Sequence, residues 1–310
     1  MKRLIFAFFI MFLFFEKSFS QFSGYKMLRY DEDFSYLKTQ GTSDWCDPVK
    51  YIPFFDENCY LTVGGEIREL HRFYNHPNFG DETKSPHTYL WQRYCLHADF
   101  HFSRYFRTFI QGVSGFRTLS KKDLLPEFEE NKLDYLQAFG EVQYPFSEEN
   151  KISLRVGRQE YLFGVERMFS TRDGGNIHQT FEGATLILKL WDSKLNVFVA
   201  NPVISKFDVF DDSPNYENAV YGAYFEKFGK FNPKFGNFEN KFFIDLYYFG
   251  SEKKFSKYVF LPVGKKIAIL LGHICIRKTL VLIINLREFI KRANWEISMF
   301  LRIDWRQIFL

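Results

Sequence analysis

LWQRYCLHADFHF, residues 90–102, alternates from end to end. Leu90, Tyr94, Leu96, Ala98, Phe100 and Phe102 fall on one face of an extended chain. Arg93, His97, Asp99 and His101 fall on the other. Period two is the signature of a strand with one greasy and one polar side. A water-soluble sandwich and a membrane barrel both use such a strand, so this stretch leaves two architectures open. Repetition favours the barrel. Leu61, Val63 and Ile67 alternate with Thr62, Glu66 and Arg68; Leu136, Ala138 and Val142 alternate with Gln137 and Glu141. Ile152, Leu154 and Val156 alternate with Ser153 and Arg155. Further strands are expected near 105–113, 181–191, 195–203, 219–225 and 242–249, about nine in all. Many approach the roughly 9–11 residues that a tilted strand needs to cross a bilayer. A closed antiparallel barrel leaves no backbone group unpaired in lipid. The fold class expected is therefore all-β, an antiparallel transmembrane β-barrel of the outer-membrane type.

Composition points the same way. Aromatic residues make up 20% of the chain, with 40 Phe and 18 Tyr. A lipid-facing barrel consumes such residues in its apolar band and its interfacial girdles. Lys2 and Arg3, the apolar run Leu4 to Phe15 and the small residues Ser18 and Ser20 read as a secretory signal over residues 1–20. The apolar run is too short for a spanning helix, which needs about 20 residues. Residues 21–59 are polar and irregular, and are expected to form a periplasmic segment before the barrel, which would occupy 60–261. Cys46 and Cys59 are close enough in an exported segment to pair. No Cys/His spacing marks a metal site, and neither a metal nor a cofactor is expected. No phosphate loop, nucleophile elbow or nucleic-acid pattern occurs. The acidic pairs Glu129-Glu130 and Asp211-Asp212 read as solvated loops rather than glycosidase acids. The chain is not expected to be an enzyme.

Several phrases, in order, resemble the alginate-export domain family. They are LRYDEDFSYL (28–37), DPVKYIPF (47–54), LTVGGEIREL (61–70), YLWQRYCLHADFHF (89–102) and FRTFIQGVSG (106–115). LDYLQAFGEV (133–142), LRVGRQEYLFGVERMFSTRDGGNIHQTFEG (154–183) and FDVFDD (207–212) continue the series. The resemblance covers about residues 27 to 260. It implies an outer-membrane barrel of about eighteen strands, wide enough for an aqueous channel lined with arginines. The expected solute is an anionic or neutral saccharide, the other partner is outer-membrane lipid, and the expected state is a monomer. Glu66, Arg68, Arg93, Asp99 and Arg155 lie on polar faces and so would line the lumen, with Arg107 joining them. Arg158 shares parity with Val156, so a bulge at Gly157 must re-aim it or it snorkels at an interface. Arg167 and Arg172 fall in a connection that can fold toward the pore. A guanidinium offers a fork of donors that fits a carboxylate. Acidic neighbours would keep the hold weak enough for release. These charges equally suit cross-strand pairing that holds a polar interior together. A non-transport adhesion or structural barrel and a periplasmic β-sandwich binding protein are the competing functions.

Beyond about Leu261 the chain changes character. No Tyr follows Tyr258, Gly272 is the last glycine, and ten Ile fall in the last 48 residues. Residues 262–310 therefore read as an aberrant tail, with a frameshift near Gly264-Lys265 as the preferred cause. About nine strands of a larger barrel would then form an open sheet whose unpaired edges are costly in lipid. Such a chain is expected not to insert as a working pore.

Overall fold

The computed structural model describes residues 25–41, 44–75, 86–147, 149–164, 169–231, 240–258 and 261–276. The expected signal segment, Arg167 and residues 277–310 lie outside them. The described chain is all-β, one antiparallel sheet of twelve strands, consistent with an incomplete barrel. The nine expected strands are present as β2 (Asp56–Tyr74), β3 (His87–His101), β4 (Phe106–Thr118), β5 (Asn131–Pro145), β6 (Lys151–Gln159), β7 (Phe181–Leu190), β8 (Ser193–Ile204), β10 (Asn218–Phe231) and β11 (Asn240–Tyr258). Three more complete the set: β1 (Ile52–Phe54), β9 (Ser213–Pro214) and β12 (Leu261–Ile276). Each main strand pairs with the one before it in sequence, except that β10 follows β8 while β9 pairs aside. β12 pairs with β11 as far as Ile276, so the expected tail begins as a strand. Among the described residues, no helix is long and apolar enough to span a membrane.

The faces follow the alternation. Ile67, Leu96, Ile110, Val142, Leu154, Val156 and Val199 all point to one side and are exposed. Ile67 is 79% exposed and Leu96 67%, part of a broad apolar patch of the kind that marks a membrane or protein-contact surface. The opposite face holds Thr62, Arg93, His97, Asp99, Arg107, Glu141 and Arg155, all buried. One expected parity changes. A bulge between Gln111↔Gln137 and Gly112↔Tyr135 inserts an extra residue in β5. It turns Leu136 inward, where it packs with Val113 and Ile177.

Connections alternate in length along β3 to β8. Those at 102–105, 146–150 and 191–192 are short, whereas those at 119–130, 160–180 and 205–217 are long. The long ends are ordered by ion pairs. Glu129 and Glu130, expected to be solvated, are 6% and 4% exposed. Arg117 explains this: its Nη1 lies 2.7 Å from Glu129 Oε2 and its backbone N–H donates to Glu130 at 3.1 Å. Its guanidinium also sits 4.0 Å over the Tyr89 ring.

Two segments cover the polar face. The stretch expected to lie before the barrel contains the one-turn helices α1 (Leu37–Gln40) and α2 (Asp47–Lys50). It sets Tyr30 edge-on to Phe109 and Phe139 of the sheet. The second segment is the connection 160–180, whose Ile177 approaches β4 so closely that a side chain at Gly115 would meet its Cδ1 at 2.4 Å. Cys46 and Cys59 are not joined in the expected disulfide, and Cys59 Sγ faces the Phe102 carbonyl.

Candidate functional site

The inner wall is best followed along one register row. His101, Arg107, Glu141, Arg155, Thr185, Phe198, Gly222 and Phe249 are successive cross-strand partners from β3 to β11. Charge dominates the first half of this row and aromatic rings the second. Side chains directly opposite on one face stand close enough to interact, so Arg107, Glu141 and Arg155 alternate in sign as neighbours. Arg155 Nε and Nη2 donate to Glu141 Oε2 at 2.9 and 2.8 Å. The Arg155 guanidinium also lies 4.1 Å from the Tyr30 ring and 4.5 Å from the Phe139 ring. Arg107 grips both oxygens of Asp99, at 2.7 and 2.6 Å, and donates to the Tyr30 carbonyl.

A second cluster is assembled by the connection 160–180. Arg93 Nε donates to Glu66 Oε1 at 3.0 Å, and its Nη2 contacts Glu66 and Asp173, the latter at 2.8 Å. Arg68 Nη1 reaches Asp173 Oδ1 at 2.9 Å. Arg29, from the N-terminal segment, reaches Glu66 at 3.3 Å. His178 lies between Glu160, 2.5 Å from its Nδ1, and Asp173, 2.9 Å from its Nε2. Burial alone would disfavour the imidazolium, but the two carboxylates outweigh it and push the His178 pKa up. The hydrogen bond from His178, with Arg93 and Arg68 nearby, holds the Asp173 carboxyl well below the usual range. The Tyr30 hydroxyl donates to the Glu160 carbonyl at 2.8 Å, joining the two covering segments.

The sheet thus brings Glu66, Arg68, Arg93, Asp99, Arg107 and Arg155 to the inner wall, and every one of these arginines is ion-paired. Arg158 departs from the expectation of a lumen role. Gly157 adopts φ 132° without a register shift, so Arg158 keeps its odd parity. It lies beside Tyr135, 4.2 Å from the ring, and bonds to the carbonyls of Tyr135 and Asp212 and to Asp134 at 3.4 Å. That makes it a rim latch under the 205–217 connection. Arg172 is exposed, 6.0 Å from the Phe128 ring, and stands outside the charged clusters.

Acidic oxygens of Asp134, Asp211 and Asp212 gather within 4.8 Å of one another. Arg158, Asn131 and the backbone N–H groups of Tyr135, Lys206, Asp208 and Asp212 already bond to them. The cluster is accounted for as a loop brace. Asp211-Asp212, expected to be solvated, is half-buried there, and burial pushes the Asp212 carboxyl up to about 6.

At the short-connection end, the wall and the N-terminal segment enclose a cavity of about 920 Å³. Eight Lys and Arg side chains line it, against four Asp and Glu. Lys151, Lys189 and Lys194 were missed as site residues in the sequence because only strand pairing makes them neighbours: Lys151 stands opposite Lys189, and Lys189 opposite Lys194.

The aromatic half of the wall is closed by the same connection. Tyr161, Phe163 and Phe169 pack on Phe181, Phe198, Tyr224 and Phe249 in one cluster.

No curated protein and no solved structure matches the chain. A family model described as alginate export matches residues 59–237, a span that begins in β2 and takes in the charged half of the inner wall, the aromatic half as far as β10 and the connection that covers them. That span is shorter at each end than the resemblance drawn from the sequence phrases, and it covers more than half of the 310 residues. With the outward apolar belt, the inward charged wall and this match in hand, the chain belongs to the alginate-export family of outer-membrane channels.

Proposed function

We propose that this chain forms wall of a passive outer-membrane conduit for an anionic saccharide, with no covalent chemistry of its own. The observation that carries the reading is the two-faced sheet: an exposed apolar belt set against an inner wall of buried, paired charges. Lipid satisfies the first face and a polar lumen the second. Short connections at one end and long ones at the other match periplasmic turns and extracellular loops. On this reading the N-terminal segment enters from the periplasm and reaches into the lumen at Tyr30. The bilayer is its lipid partner, and the chain works as a monomer. Paired arginines suit transit better than tight capture, because a carboxylate must compete with Glu66, Glu141 or Asp173 for each fork of donors.

The test is conductance in planar bilayers, under a salt gradient, of a full-length version with the reading frame restored past Gly264, since the open sheet itself is not expected to insert as a working pore. A reversal potential of anion-selective sign, shifted toward zero by Arg68→Ala and Arg93→Ala, is expected. Inserted protein without conductance would overturn the reading. A second reading, a barrel serving structure or adhesion, is favoured by one observation: the inner-wall arginines are ion-paired under a face covered by two segments. It predicts no change in selectivity from either substitution.

A further inference from the structure

Two opposite partners compete for one ring nitrogen of His178. Its Nδ1 lies 2.5 Å from Glu160 Oε1, and that carboxylate accepts from Gln137 through its other oxygen at 2.7 Å. Its Nε2 lies 2.9 Å from Asp173 Oδ1, an acceptor, and 2.7 Å from Arg93 Nη1, which can only donate. One nitrogen cannot serve both. The imidazolium carries a proton on Nε2 and donates it to Asp173. The neutral ring, with its proton kept on Nδ1 for Glu160, leaves Nε2 to accept from Arg93. The His178 side chain is 8% exposed, so water is a poor substitute for the partner that is lost.

Asp173 belongs to the turn 172–175, closed by the Gly175 N–H donating to the Arg172 carbonyl at 2.8 Å. The turn lies over β2. Arg68 Nη1 donates to the Asp173 carbonyl at 2.8 Å, and Arg72 Nη2 to the Gly174 carbonyl at 3.1 Å. Just beyond the turn the chain is pinned. Asn176 Nδ2 donates to the carbonyls of Gln92, Phe116 and Glu129, and Ile177 packs with Val113 and Leu136. The charged groups facing His178 are Glu160 and Asp173 of the connection and Arg93 of β3. One contact further out stand Glu66, Arg68 and Arg72 of β2 and Arg29 of the N-terminal segment. Cys95 of β3 also lies within reach of Arg93 and Glu160. Arginine keeps its charge and the Asp173 carboxyl is held low, so His178 is the anchor of the turn that changes charge near neutral pH. Its two carboxylates push that titration upward.

We propose that His178 is a proton-operated latch on the turn 172–175. Charged, it bonds to Asp173 and holds the turn down over Arg68 and Arg93. Neutral, it exchanges Asp173 for Arg93, and the turn loosens about the pinned residues Asn176 and Ile177. The latch stands on these contacts alone. Its use, covering the charged half of the wall in acid and uncovering it as pH rises, rests on the conduit reading.

The experiment uses the full chain in detergent, with nitrogen-15 in its histidine rings, and follows the ring-nitrogen shifts against pH; His178→Gln identifies the His178 signals. Both ring nitrogens should carry protons at low pH, and Nδ1 alone once the ring is neutral. Hydrogen exchange of the 169–180 peptide, corrected for its intrinsic pH dependence, should lose roughly tenfold in protection across the same titration, the scale of one charge-assisted hydrogen bond. Peptides from β3 and β5 should keep their protection, which verifies that the sheet stays folded. The step should vanish in His178→Gln and move to lower pH in Asp173→Asn, where one of the two carboxylates is gone. A neutral ring protonated on Nε2 would overturn the partner exchange. A step that persists in His178→Gln, or no step in the natural chain, would overturn the latch. Neither readout needs a current, so a frame-restored version without conductance would sink the conduit reading and leave the latch standing.

Discussion

The two halves of the inner wall solve one problem with different chemistry. From β2 to β6 the wall carries Glu66, Arg93, Asp99, Arg107, Glu141 and Arg155 around the buried rings of Phe109 and Phe139; from β7 to β11 it is filled by Phe181, Phe198, Tyr224 and Phe249. Outside, both halves present the same apolar belt. The connection 160–180 serves each in kind. It turns Glu160, Asp173, Asn176 and His178 to the charged half, and Tyr161, Phe163 and Phe169 to the aromatic half. Directional pairs hold a polar interior only while every member is present. Ring packing degrades gradually and is indifferent to protonation. The two halves should therefore fail differently.

The largest effect is expected at Arg155. Arg155→Ala leaves Glu141 buried without its partner and removes the stack on Tyr30 and Phe139. Breaking a buried pair costs about 3–5 kcal/mol, to be read as a lowered thermal transition of the detergent-solubilised chain. Arg155→Met paired with Glu141→Leu should recover most of that loss, because the uncompensated charge is gone. If the double variant were as unstable as the single one, the charged half would owe its order to shape instead.

Phe198→Ala probes the other half. Phe198 is 3% exposed and touches Tyr161, Phe163, Phe169 and Phe249. A loss of about 3 kcal/mol is expected for an aromatic truncated in a core, and Phe198→Leu should lose less. That loss should be the same at low and high pH. A pH-dependent deficit would show that the two halves are coupled more tightly than their contacts indicate.

The smallest effect sharpens the contrast through His178. Its pKa is raised by Glu160 and Asp173, so protonated His178 stabilises the anchored connection. This contribution is fully present below the ordinary histidine value of about 6.5 and is lost as pH rises through the raised folded value. Protease cleavage within 160–180 should accelerate on that alkaline side. His178→Gln should cleave at one rate throughout; persistence of the pH step in that variant would assign it to another group.

Much of this was legible along the chain. The nine main strands follow from period-two alternation, as do the outward faces of Ile67, Leu96 and Val142 and the inward faces of Glu66, Arg93, Asp99 and Arg155. Side-chain direction in a strand is a local property, so local sequence suffices. Leu136 was misplaced because a bulge, which depends on the partner strand, reverses parity from that point. Glu129 and Glu130 look solvated in sequence because Arg117, which buries them, lies on β4, 12 residues before Glu129, and reaches them only once the connection folds back.

The all-β class, the two-sided strands and the family can be read from the chain before it folds. Each depends on the order of neighbours along one chain. Tertiary structure alone decided which charges meet. Arg68 and Arg93 find Asp173 across more than seventy residues, and three lysines from three strands meet in one row. Ion pairing depends on distance in space, and in this sheet register sets that distance.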